Sequence, residues 1–195
     1  MTIVMAAALA RYGPLVAWVR DGWRAWRRIL AIALARRVRT RQSAGMRIAL
    51  FEPEIAGNVG AVLRLCACLG AVVDLIEPMG FEWDDRRVRR AAMDYIDHVT
   101  IARHADFDAF RTAIGSKRLI LFTTRSSQSA YDFRFAPDDV LLFGKESAGV
   151  PAAVAESCDA RVRIPMRPQV RSMNLAISTA LALGEALRQT AALPG

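Results

Sequence analysis

Histidine occurs only twice, at His98 and His104, and cysteine three times, at Cys66, Cys68 and Cys158. Two isolated histidines cannot build a His-based metal centre or a convincing Ser-His-Asp relay. Three thiols make neither an even disulfide set nor zinc-spaced couples, so a reduced, cytoplasmic protein without a metal is expected. Cys66 and Cys68 lie in the apolar stretch AVLRLCACLG, where small buried thiols are the ordinary expectation. No G-x-G-x-x-G turn follows the first strand-like segment and no Walker A lysine loop occurs, which argues against an ordinary dinucleotide or nucleoside-triphosphate site. Long apolar runs are missing from the Arg-rich N-terminal part. From Leu15 onward its longest uncharged piece, ILAIALA, falls far short of the roughly 20 residues needed to cross a bilayer, and no apolar run of the usual length is followed by a secretory cleavage site.

The chain has 195 residues, of which 53% are apolar, enough for one domain with a substantial core. Its net charge of +8 is unevenly spread: nine arginines against Asp21 alone in residues 1–45 leave 18 basic and 18 acidic residues in 46–195. Overall basicity is therefore no evidence for RNA binding. Any electrostatic steering must come from local patches, and the sequence offers two: Arg86, Arg87, Arg89 and Arg90, then Arg161, Arg163, Arg167 and Arg171.

Leu15, Val19, Trp23, Trp26, Leu30, Leu34 and Val38 recur at helical spacing, with Arg20, Arg24, Arg27 and Arg28 largely off that stripe. Such a basic amphipathic helix can lie on an anionic membrane, grip phosphates or pack on a partner. The favoured reading is a dispensable extension or a misplaced start, because Met46 opens directly onto the strand-like RIALFEPE. Residues 1–45 are thus separated from a working domain over 46–195.

Within that domain short β-rich runs alternate with helical patterns, the signature of a mainly parallel α/β sheet with helices on both faces. RIALFEP, AVVDLIEP, RLILFTT, DVLLFGKE and ARVRIPM are the expected strands, and Asn58–Leu69, Asp106–Ile114, Pro151–Ser157 and Met173–Thr190 the expected helices. Ligands of open α/β sheets gather at the carboxyl ends of strands, so junctions such as Phe143-Gly144 and Ile164-Pro165 are where chemistry is expected.

Three segments are more specific: NVGAVLR (58–64), LLFGKESAGVP (141–151) and RIPMRPQVRSMNLAIS (163–178). Together they resemble the three motifs of the SpoU-like methyltransferases of the SPOUT superfamily. FEPEIAGNVGAVLRLCACLG, IEPMGFEWDDRRVRRAAMDY and LFTTRSS extend the likeness to the tRNA (cytidine/uridine) wobble-nucleotide 2′-O-methyltransferases, over almost all of residues 46–190. The resemblance implies a C-terminal deep trefoil knot, a homodimer with sites completed across subunits, S-adenosylmethionine as methyl donor, and the anticodon stem-loop of tRNA as substrate. It also implies transfer to the ribose 2′-hydroxyl of C34 or U34. Other readings are a 2′-O-methyltransferase of another tRNA or rRNA position, and a non-catalytic RNA- or membrane-associated binding protein.

Carried over by the same resemblance, Phe122, Thr123, Gly144, Ile164, Met166, Ser172 and Leu175 contact the cofactor. Arg64, Asn58 and Glu146 are the catalytic set, while Arg86, Arg87, Arg90, Arg171 and Asn174 meet the RNA. Arg64 is expected first to clamp the target phosphate and stabilise the developing oxyanion, since a guanidinium with a pKa above about 12 is an awkward base; literal proton abstraction ranks second. Asn58 and Glu146 are expected to orient Arg64, with Asn174 and Ser172 shaping the pocket. The chain departs from the family pattern at EIAGN, where relatives carry a proline-rich turn and Gly57 is expected to make the bend, and at Ala148, which replaces an arginine of some relatives.

Overall fold

In the computed structural model, the described residues are 45–83 and 93–195. All the described elements belong to one compact unit, Ser43–Gly195. Six strands form its sheet: β1 (Arg47–Phe51), β2 (Val72–Ile76), β3 (Ile101–His104), β4 (Leu119–Phe122), β5 (Val140–Phe143) and β6 (Ala160–Val162). Their order is β3-β2-β1-β5-β4-β6, and every neighbouring pair is parallel. The chain therefore builds outward from β1 to β3 and returns to the other side of β1 for the second half, leaving a topological switch point between β1 and β5.

Alternation along the strands explains the layering. Ile48, Leu50, Val73, Leu75, Ile120, Phe122, Leu141 and Phe143 pack with helices α1 (Ala56–Leu69) and α4 (Leu175–Gln189). Ala49, Phe51, Ile76, Leu119, Leu121, Val140 and Leu142 pack with α2 (Phe107–Ile114) and α3 (Ala152–Glu156) on the opposite face. A sheet covered on both faces needs near-continuous apolar strands, which is why VVDLI, LILF and VLLF are buried throughout.

The expected helices all form, with ends shifted by one or two residues. Asp106 becomes the N-cap of α2, its Oδ1 accepting from the Ala109 amide at 2.7 Å. The five expected strands form as well, but β3, sequence IARH, is not among them, because it is short and carries the polar side chains of Arg103 and His104. Its Arg103 reaches outward to Glu77, and His104 turns inward onto Asp74. A buried polar cluster results on the α2 face: Asp74 accepts from Arg47 Nε and Nη2 at 2.8 and 2.6 Å, and lies 2.8 Å from His104 Nε2. Two cysteine expectations separate here. Cys66 is buried, whereas Cys68, two residues and so about 200° further round α1, is exposed.

β6 is held along both edges. Val162 accepts from the Thr123 amide on the β4 side, while the next residue, Arg163, donates to Gln128 and accepts from Ala130 at 2.9 and 2.8 Å. Residues 128–130 belong to the loop that leaves β4, so this loop lies along the edge of β6 that faces away from β4. The same loop is tied to the C-terminal helix, because Gln189 accepts from the Phe135 amide and donates to the Phe133 carbonyl, each at 3.0 Å.

Candidate active site

The loops leaving β1 and β5 face each other at the switch point, and their side chains interlock. Glu146, just beyond β5, accepts from Asn58 Nδ2 at 2.8 Å and from the Glu54 amide at 2.9 Å. Asn58 Oδ1 in turn accepts from Asn174 Nδ2 at 2.9 Å. Asn174 is the N-cap of α4, with its Oδ1 accepting from the Ala176 and Ile177 amides. Donor and acceptor ends of both carboxamides are therefore fixed by their partners. One residue from each of the three motifs stands in a single hydrogen-bonded row.

The loop Lys145–Gly149 is itself closed. Lys145 and Gly149 exchange backbone hydrogen bonds at 3.1 and 2.9 Å, and Gly149 takes φ +73°, which favours glycine. A Cβ on Gly144 would stand 2.4 Å from the Gly149 carbonyl carbon. The glycine expected to admit a cofactor is thus already required by its own loop. Outward bonds anchor the ring to β1: Lys145 Nζ to Glu52 at 2.6 Å, and the Ser147 amide and hydroxyl to Glu54 at 2.8 and 2.7 Å. The Ser147 bonds hold the Glu54 carboxyl below its ordinary range, and the Glu52 bond raises the Lys145 ammonium. Glu52 takes a left-handed φ of 44°, so the chain turns at that residue. Gly57, expected at the bend, is instead inside the first turn of α1.

The remaining expected residues fall into distinct surroundings. Strand register sets Phe122 beside Phe143 and Val162, so Thr123, Gly144 and the Arg163-Ile164 step leave β4, β5 and β6 side by side. Thr123, Ile164 and Met166 are half-buried there. Phe122 and Leu175 are buried core side chains, Phe122 stacked on Phe143 with centroids 5.0 Å apart, so each can offer a ligand only its backbone. Ser172 and Arg171 are exposed on the loop between β6 and α4. Arg86, Arg87 and Arg90 lie outside the described residues, as does the N-terminal extension.

Arg64 is exposed, and its guanidinium lies 5.1 Å from the centroid of the Tyr95 ring. Six residues along α1 separate it from Asn58, about 120° around the axis and about 9 Å along it, so the two side chains leave the helix in different directions. Tyr95 is not foreseen by sequence reasoning, and nothing local to MDYIDH signals its approach to α1. Glu54 is also absent from the expected set, although a carboxylate four residues before the motif asparagine is legible in the sequence.

A ledge made of three strand ends, with half-buried Thr123, Ile164 and Met166 along it, suits a purine recognised through backbone groups, and so fits S-adenosylmethionine. Among the described residues no group of three His, Cys, Asp or Glu side chains could hold a metal ion.

Residues 45–184 match the SpoU rRNA methylase family. A relative from Beijerinckia indica named tRNA (cytidine(34)-2′-O)-methyltransferase is 55% identical over 148 residues, spanning 75% of this chain and 92% of its own. A solved structure concerned with the 2-OH methylation of C/U34 on tRNA superposes with a TM-score of 0.71 at 40% identity, covering 74% of this chain and 95% of that one. An AdoMet-bound rRNA methyltransferase from Sinorhizobium meliloti superposes with a TM-score of 0.67 at 28% identity, over 74% of this chain and 56% of that one.

Proposed function

This chain belongs to the SpoU methylase family, and we propose that it transfers a methyl group from S-adenosylmethionine to the ribose 2′-hydroxyl of C34 or U34 in the tRNA anticodon loop. The observation that carries this reading is the row Glu146–Asn58–Asn174, which gathers three motifs at the sheet's switch point. The relatives named for cytidine-34, matched over 92% of their own length, support the choice of target.

The donor supplies an electrophilic methyl when bound. Thr123, Gly144, Ile164 and Met166 would hold it against the ends of β4, β5 and β6, with the backbones of Phe122 and Leu175 closing the ledge and exposed Ser172 at its rim. The acceptor is a weakly acidic alcohol, so its oxygen must be aligned and the charge that develops on it met by a cation. Arg64 takes that part, clamping the adjoining phosphate while its guanidinium faces the sugar oxygen. Glu146 and Asn58 keep the two loops in register so that both partners approach along one line. Arg171, Arg86, Arg87 and Arg90 contribute phosphate contacts, and Asn174 shapes the pocket wall through its bonds to Asn58 and the α4 amides.

Because Arg64 leaves α1 in a different direction from Asn58, we assign the complete site to a homodimer in which one subunit's Arg64 serves its partner's ledge. Supporting this, α1 and α4 pack together and leave Ile55, Ile177 and Leu181 exposed at 51, 55 and 39%. We also assign the family's knot to this chain, with the segment after β6 passing under the loop 123–139; the bonds of Arg163 and Gln189 to that loop support it. A protein that modifies tRNA works in the cytoplasm, and we assign it there. Among the described residues no helix is long and apolar enough to cross a membrane.

The test is nucleotide-resolution mapping of ribose methylation on total tRNA incubated with purified protein and S-adenosylmethionine. New 2′-O-methylation at position 34 is the expected result. Methylation only at another tRNA or rRNA position would move the target, and no methylation at all would overturn the reading.

A further inference from the structure

We propose that Glu54 is a positioning residue for the methyl transfer, a cross-clamp that grips Ser147 with its carboxylate while its own amide holds the Glu146 carboxylate. The proposal rests on the function assigned above. Four hydrogen bonds carry it, two from Ser147 to the Glu54 side chain and two onto Glu146, one of them from the Glu54 backbone.

The ring Lys145–Gly149 is closed by its own paired backbone bonds and pressed against Gly144, so it behaves as one body hinged where β5 ends. A rigid ring on a short hinge keeps one freedom, its tilt relative to the β1 loop. Glu54 removes that freedom from both directions: its amide fixes the Glu146 end, and its carboxylate takes both donors of the neighbouring residue. Glu52 adds a third point through Lys145, but that is a single bond to a long, flexible side chain. The β1 loop is held firmly enough to serve as the reference. Glu52 donates its amide to Ile76 at 2.9 Å, and the Pro53 carbonyl accepts from Gly80, where a Cβ would stand 2.8 Å from Glu54 Cα.

Without the carboxylate the ring keeps its shape but loses its angle. Glu146 would then meet Asn58 with altered geometry, while the strand-end ledge, the exposed arginines and Asn174, whose Oδ1 is held by the Ala176 and Ile177 amides, would keep their places. The loss therefore belongs in kcat and not in KM.

Steady-state methyl transfer to an anticodon stem-loop RNA, with both substrates varied, tests this. Glu54→Ala is expected to lower kcat by about tenfold or more, as small misalignments of reacting groups do, with both KM values within about twofold. Glu54→Gln should recover most of that loss, since its carboxamide can accept from the Ser147 amide and donate to the hydroxyl. Ser147→Ala should fall between, and the double variant Glu54→Ala/Ser147→Ala should be no worse than Glu54→Ala alone. Urea unfolding of each variant accompanies the kinetics. Full kcat in a folded Glu54→Ala protein, losses confined to KM, or additive effects of the two substitutions would overturn the clamp while leaving the activity assigned. An unaltered chain without transfer activity would overturn the assigned function, and the clamp with it.

Discussion

Asn58 and Glu146, 88 positions apart in sequence, meet at 2.8 Å between Nδ2 and Oε1 across the switch point of the sheet. The contact joins the helix that follows β1 to the loop that follows β5, and Asn174 extends it to the head of the C-terminal helix.

Replacing Glu146 by alanine is expected to leave two donors, the Glu54 amide and the Asn58 carboxamide, without their acceptor. Bonds to charged groups are worth about 1.5–3 kcal/mol each when broken in place. Half-exposed geometry allows water to substitute, so a stability loss of about 1–2 kcal/mol in urea unfolding should accompany a fall in kcat of about two orders of magnitude. Glu146→Gln should lose up to about 1 kcal/mol in urea unfolding and remain slow, because one of its two acceptors becomes a donor facing Asn58 or Glu54.

Gly144→Ala places a methyl where the Gly149 backbone already stands, 2.4 Å from the carbonyl carbon. The motif-two ring must shift, at a cost of about 1–3 kcal/mol typical of overpacking. Activity should fall in proportion to the shift, and a loss of kcat without loss of helical circular dichroism would mark the change as local to the ring. An Ala variant with full kcat and unaltered melting would contradict this geometry.

Asp74 is the buried hub for Arg47 and His104. Truncation to alanine strands a guanidinium with 16% of its side-chain surface exposed, together with a buried imidazole. Breaking such a network by removing one partner costs about 3–5 kcal/mol, which urea unfolding at neutral pH should register. A change below about 1 kcal/mol would show that the cluster relaxes to water.

Glu185 carries a pH dependence. Its bonds to Arg188 and Gln189 lower its carboxyl to about 2 from the ordinary 4.5. A depressed folded value stabilises the fold above the unfolded value and ceases to do so as pH falls from about 4.5 through about 2. The melting difference between the unaltered chain and Glu185→Gln should thus be largest near neutral pH and vanish toward pH 2. It should be modest throughout, because Arg188 is well exposed. A difference that grows on acidification would reverse the sign and refute the attribution.

Thiol reactivity separates the cysteines of α1. Burial pushes Cys66 up to about 12, while Cys68 faces outward, so alkylation of the native protein at pH 8 should modify Cys68 and leave Cys66 untouched until unfolding. Peptide mapping of the alkylated protein reads both sites.

Alternation of β-rich and helical segments is enough, in the sequence alone, to indicate a parallel α/β sheet, and five of its strands are legible as apolar runs because a doubly covered sheet demands them. β3 is not. An edge strand of four residues can carry Arg103 and His104, and the partner that makes His104 acceptable, Asp74, is 30 positions away. Motif residues Asn58, Glu146 and Asn174 can be singled out by resemblance, but not their bonds to one another, which depend on β1 and β5 being neighbours. For Gly144 the local signal is ambiguous: a strand-end glycine reads equally as a turn or as an opening for a ligand, and the approach of Gly149, which by itself requires a glycine, is visible only in the fold. Residue identity determined which elements form and which chemistry they carry, because periodicity and side-chain type are local properties. Tertiary structure alone decided which loops meet, how Glu54 comes to hold Glu146, and why Arg64 leaves α1 away from both, because strand order and helix phase exist only once distant segments pack.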